Sequence, residues 1–197
     1  MKTETIAALA VAVATHASAA RAQAPAGAPP PTDARAPTSR HSIEASVYLH
    51  QLVHPGAQVG YSYRLLSTAD EVHSLIVGVD VGTYVWLRHS IGVFVLPRVG
   101  YRLRTPGGFH AEVNMHAGYL QGVLASESFD VVDGAVVASG RAGYPYAYLG
   151  PSAGVGYAIR AIRVTPFARI GVQWQLPVFD QSLMRLVAAV GAEVAFR

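Results

Sequence analysis

The chain has 197 residues, no cysteine, 51% hydrophobic residues and only 14% charged ones. A globular chain usually carries about 25% charged residues. A net charge of +3 without any basic run gives no footprint for nucleic acid, and the lack of cysteine excludes disulfides and thiolate metal centres.

The N-terminus reads as a secretory signal. Lys2, the sole lysine, precedes an apolar stretch from Ile6 to Thr15. Small residues follow, with Ala22-Gln23-Ala24 as a cleavage pattern and Ala17-Ser18-Ala19 as a second candidate. The stretch is too short to span a bilayer as a helix, so residues 1–24 are expected to be removed. No cysteine follows it to carry a lipid anchor. Residues 25–39 are rich in proline and alanine and have no apolar period, which predicts a disordered periplasmic linker.

From about residue 40 onward the dominant pattern is two-residue alternation, the signature of β-strands. It predicts eight strands: Ser42–Leu52, Gln58–Leu66, Ser74–Tyr84, Ile91–Leu103, Phe109–Val123, Tyr144–Ile159, Val164–Leu176 and Leu183–Phe196. Most match or exceed the roughly 9–11 residues that cross a bilayer as a strand. No apolar run long enough for a transmembrane helix follows the N-terminal segment. A secreted, hydrophobic chain of this kind has one common membrane solution, a closed barrel that pairs every backbone group. The expected fold is therefore all-β, an eight-stranded antiparallel up-and-down transmembrane barrel over residues 40–197.

An even strand number places both barrel ends in the periplasm and alternates the connections. Ser67–His73, Arg104–Gly108 and Arg160–Arg163 fall on the periplasmic side and are short, whereas the longest, Leu124–Gly143, falls outside. Asp133-Gly134 between valines predicts a hairpin in that long loop.

One face of the alternation carries Val77, Val79, Val81, Ile91, Val93, Val95, Val99, Tyr101, Val113, Met115, Tyr119, Val155, Tyr157, Ile170, Val172 and Trp174. It is expected to touch lipid. Aromatic residues near strand ends, Tyr61, Tyr63, Tyr84, Trp86, Tyr101, Phe109, Tyr119, Trp174 and Phe196, are expected to form interfacial girdles. The other face carries glycines together with Glu44, Asp80, Arg98, Arg102, His110, Glu112, Asn114, His116, Arg169, Gln173 and Glu193. These predict a small, polar interior whose charges pair with one another. Glu112 is expected to bond Arg98 or Arg102, and Arg169 to pair with Glu193 between the last two strands.

The stretches GYRLRTPGGFHAEVNMHAGYL (100–120), YLGPSAGVGYAI (148–159) and FARIGVQWQLPVF (167–179) complete this pattern. With them the chain resembles small eight-stranded outer-membrane barrels, the architecture of the barrel domain of outer-membrane protein A. It is also similar to a group of uncharacterised outer-membrane barrel proteins. The resemblance implies a lipid-embedded monomer, assembled by the barrel-assembly machinery through a C-terminal strand ending at Phe196. The assembly signal of such proteins usually ends on an aromatic residue, whereas here Arg197 is last.

No catalytic, metal or cofactor site is expected. His110 and His116 share a face but stand apart along the strand. Gly154 and Gly156 are strand-spaced rather than a nucleotide fingerprint. Some barrels of this kind deacylate or acylate lipid A, which needs a serine beside a histidine on one face. The adjacent pairs His73-Ser74 and His89-Ser90 point to opposite faces and form no dyad alone. The expectation is a non-enzymatic barrel with a structural or surface-interaction role. A lipid A acyl hydrolase or transferase is the alternative, and a small-solute channel or a lipocalin-like ligand binder is the second.

Overall fold

The computed structural model describes residues 39–87, 89–126, 129–138, 143–159, 161–177 and 183–196. The signal and linker expected over residues 1–38 lie outside them. The strands are β1 (His41–His50), β2 (His54–Ser67), β3 (His73–Trp86), β4 (Ser90–Arg104), β5 (Phe109–Leu124), β6 (Phe129–Val132), β7 (Ala135–Ala138), β8 (Gly143–Tyr157), β9 (Val164–Pro177) and β10 (Leu183–Phe196).

Eight of them close into one barrel in the order β1-β10-β9-β8-β5-β4-β3-β2, and β6 and β7 form a separate two-stranded sheet. All neighbours are antiparallel. The seam runs from His41 opposite Phe196 to His50 opposite Val187, so Phe196 is the last pairing residue of the closing strand. A strand of about 14 residues tilted near 40° rises enough to cover the roughly 25 Å apolar band of such barrels.

The hairpin in the long connection forms at Asp133-Gly134, where both residues have positive φ (51° and 80°). That backbone matches the strand twist, and Gly134 adopts it without steric cost. The β1–β2 connection is tight, with Gln51 and Leu52 also left-handed at φ 53° and 62°. At the opposite end, Thr68 and Asp70 hold the β2–β3 turn together. The Asp70 carboxylate accepts hydrogen bonds from the Thr68 hydroxyl and, at 3.1 Å, from the Val72 N–H. The connections thus define a loop end, which carries β6 and β7, and a turn end.

The ladder has three local irregularities. A bulge lies in β2 between Arg64 and Leu66. Pairing of β4 with β5 skips from Val95–Tyr119 to Arg98–His116 around Pro97. Pairing of β8 with β9 skips from Leu149–Trp174 to Ser152–Gly171 around Pro151. Proline lacks the N–H the ladder needs. A glycine lies in each gap, Gly118 on β5 and Gly150 on β8. A Cβ on Gly118 would stand 2.1 Å from the Val95 carbonyl oxygen, and one on Gly150 2.0 Å from that of Val172. The strands pinch together there, and only glycine fits.

Burial follows the alternation. Val113 and Val190 on the outer wall are 56% and 60% exposed, whereas Glu44 and Asp80 inside are each 1% exposed. An apolar exterior around a charged interior inverts the soluble arrangement, including that of a lipocalin. No helix among the described residues is long and apolar enough to cross a membrane.

Candidate functional site: the barrel interior

All eleven polar residues assigned to the inner face, Glu44, Asp80, Arg98, Arg102, His110, Glu112, Asn114, His116, Arg169, Gln173 and Glu193, are buried. They are delivered at two-residue spacing from β1, β3, β4, β5, β9 and β10, most of them to the turn-end half of the lumen, whereas Gln173 stands opposite Arg185.

Seven of these groups form one chain of alternating sign. Asp80 lies 3.7 Å from Arg98. Arg98 donates to both Glu44 oxygens, at 3.3 and 2.7 Å. Arg169 also donates to both Glu44 oxygens, at 3.1 and 3.4 Å, and gives two bonds to Glu112 Oε1, at 3.0 and 2.7 Å. Arg102 completes the chain with two bonds to Glu112 Oε2, at 3.0 and 2.8 Å, and two to Glu193, at 3.1 and 2.8 Å. The planar guanidinium suits this role because it binds two carboxylates in fixed, forked geometry. Asn114 adds a bond to Glu112 at 3.2 Å. The Arg169 guanidinium also lies over the Phe167 ring, 5.0 Å from its centre.

Two expectations about pairing resolve differently. Glu112 meets Arg102, its register partner across β4 and β5. Arg169 does not meet Glu193. The register sets Arg169 opposite Ala189 and Glu193 opposite Thr165, four positions apart, so Arg169 reaches across the lumen to β1 and β5 instead.

The loop-end half differs from the small, polar interior expected. Tyr48, Tyr84, Phe94, Leu96, Leu120, Tyr148, Val187 and Ala189 pack there as an apolar cluster. Tyr48 and Phe94 lie 4.9 Å apart between ring centres, Phe94 and Tyr148 6.4 Å, and the two tyrosine hydroxyls meet at 3.1 Å. The plug therefore bridges β1, β4 and β8. Tyr84, expected in an interfacial girdle, is 4% exposed and belongs to this cluster. The signal was available: Tyr48, Phe94 and Tyr148 stand an even number of positions from Glu44, Arg98 and Ser152 on their own strands.

Neither adjacent Ser-His pair forms a dyad. His73 is exposed and bonds the Tyr101 hydroxyl, while Ser74 is buried opposite Arg102. A serine–histidine contact does form inside the barrel, where His116 Nε2 lies 2.9 Å from Ser152 Oγ. Asp80 Oδ2 lies 3.6 Å from the other ring nitrogen, too far for a hydrogen bond. Both residues are buried at the middle of the lumen, between the ion chain and the plug. His110 is buried against Gly156 rather than near His116. Among the described residues no group of three or more potential ligands is arranged to hold a metal ion.

No family model matches the chain, and no curated protein does either. Among solved structures, the crystal structure of Neisserial surface protein A superposes with a TM-score of 0.50 at 10% identity, covering 79% of this chain and 96% of that one. The N-terminal β-barrel domain of Pseudomonas aeruginosa OprF gives 0.45 at 17% identity, over 81% of this chain and 99% of that one. The outer membrane enzyme PagL gives 0.47 at 12% identity, over 79% and 99%. At these identities the likeness is one of fold. The chain has the eight-stranded antiparallel barrel fold of small outer-membrane proteins.

Proposed function

We propose that this chain is a monomeric, non-conducting outer-membrane barrel that serves as a structural wall element and displays its loop-end connections, the β6–β7 hairpin foremost, at the cell surface. The filled lumen carries this reading. An alternating ion chain occupies one half and an aromatic plug the other, so the interior is occupied by the chain's own side chains. The apolar outer wall meets outer-membrane lipid, and the signal and linker read from residues 1–39 supply export and a periplasmic spacer. The strand ending at Phe196 is the element offered to the assembly machinery.

Fractionation tests the location: the protein should stay with carbonate-washed envelopes, and release into the periplasmic fraction would overturn the reading. Reconstitution into planar bilayers tests the sealed lumen: no unitary conductance is expected.

The acyl-transfer alternative retains one observation, the His116–Ser152 contact with Asp80 nearby. It needs a route for lipid to a buried serine. Lipid A acyl-chain analysis of cells carrying the wild type and Ser152→Ala decides it. A difference between the two would favour the enzyme.

A further inference from the structure

At the loop end, above the plug, a column of rings stands inside the mouth. It starts on Gly92, where a Cβ would lie 2.3 Å from the Tyr84 ring, so only glycine leaves room for that ring. His50 stacks flat on Tyr84, with ring centres 4.0 Å apart and planes 8° from parallel. His54, the cross-strand partner of His50, stacks next at 6.0 Å. Trp86 follows at 5.0 Å from His54, and His89 at 5.2 Å from Trp86. Beside the column stands Arg185, two residues beyond Val187, which pairs with His50 across the seam.

His50 is 1% exposed, and among the described residues neither of its ring nitrogens has a hydrogen-bond partner; the Arg185 Nε is likewise buried and without one. Buried polar groups in a folded protein are nearly always satisfied, so such orphans point to a ligand. Among the described residues, the charged groups acting on His50 are Arg185 and His54, and those acting on His54 are Arg185 and His89, with no carboxylate among them. The other titratable groups facing the column are the phenols Tyr84 and Tyr146. The fixed charge of Arg185 repels a metal dication and attracts an anion. His54 Nε2 lies 3.2 Å from Gln51 Oε1, which props that ring over the entrance.

We propose that the loop-end mouth is a binding site for an oxyanion, a phosphate or sulfate group, held by Arg185 and His50 and covered by His54. The plug closes the floor, so the ligand enters from the loop end. The site does not depend on which side of the membrane that end faces. The same chemistry is offered by a free anion and by a phosphomonoester lipid headgroup.

The test uses the full chain in a maltoside detergent, with inorganic sulfate as the probe. Imidazole NMR signals report binding. A saturable shift of the His50 signal at millimolar sulfate is expected. His50→Phe keeps the ring stack and removes the nitrogens, and Arg185→Gln removes the charge. Each should weaken binding about tenfold or more, the worth of a charge-assisted hydrogen bond, with His54 as the reporter in the first. Heat-modifiable gel migration identifies the folded variants, and either one suffices. Nanodiscs of phosphatidylcholine with and without phosphatidic acid then distinguish the sources. A His50 shift that appears with phosphatidic acid alone assigns a lipid headgroup, and its absence assigns a free anion. No saturable shift with sulfate, or unchanged affinity in the folded variants, overturns the proposal. Neither result bears on the location or the sealed lumen.

Discussion

Arg102 and Glu112 are register partners on adjacent strands and are also joined through their side chains, Nη2 to Oε2 at 2.8 Å. Backbone and side chain therefore specify the same alignment of β4 and β5. A one-residue slip of either strand would turn its charge toward lipid, where it is costly, and leave the other without its partner.

Glu112→Gln should lower unfolding stability by about 3–5 kcal/mol, because it leaves the buried charges of Arg102 and Arg169 short of a partner. Urea titration in lipid vesicles measures it. Adding Arg102→Ala should recover only part of the loss, since Arg102 also serves Glu193. Full recovery would mean that the alternating chain is a set of independent pairs.

Tyr148→Ala should cost about 3–5 kcal/mol, the range for truncating a large buried aromatic side chain. Combined with Tyr48→Ala it removes both hydroxyls of the plug bridge. Single-channel recording should then show flickering conductance that the wild type lacks. A silent double variant would place the seal in the ion chain.

Met115→Arg on the lipid face should destabilise the barrel by about 2–4 kcal/mol near the bilayer midplane. The same charge at Val136, in the hairpin, should leave stability nearly unchanged. Equal effects would mean that the outer wall does not face hydrocarbon.

An epitope inserted at Asp133-Gly134 should be reached by antibody on intact cells, as the connection between β5 and β8 lies at the end opposite the two barrel termini, His41 and Phe196. Labelling only after outer-membrane permeabilisation would invert the orientation.

In the β2–β3 turn, hydrogen bonds from Thr68 and the Val72 N–H hold the Asp70 carboxyl below its ordinary pKa. A depressed value in the folded state favours the native turn above the unfolded pKa, near 3.9. That contribution is lost as pH falls through the folded value. Carboxyl NMR titration should give an Asp70 midpoint below that of an unstructured chain, and Thr68→Val should raise it.

Period-two alternation made the eight strands legible, because a barrel wall with lipid on one side and a packed lumen on the other enforces it residue by residue. The Asp133-Gly134 hairpin was legible for a local reason, its turn chemistry. Arg169 was not, because its carboxylates come from β1 and β5, and reach across a lumen leaves no trace in neighbouring positions. Tyr84 was misplaced because aromatic residues near strand ends serve both a girdle and an inner plug. Only the alternation with Gly82 and Asp80 separates the two.

The seam between β1 and β10 has a kinetic meaning. Every other barrel ladder joins strands linked by a turn or a single loop, so each closes over a short stretch of chain. The seam joins the two ends, from His41 with Phe196 to His50 with Val187. Loop entropy makes such a contact the slowest to form. Until it forms, two unpaired edges face the bilayer, and Glu44, on β1, stays apart from Arg169, on β9. The zipping of the seam and the completion of the ion chain are thus one late event in assembly, and weakening either should slow the appearance of the closed barrel.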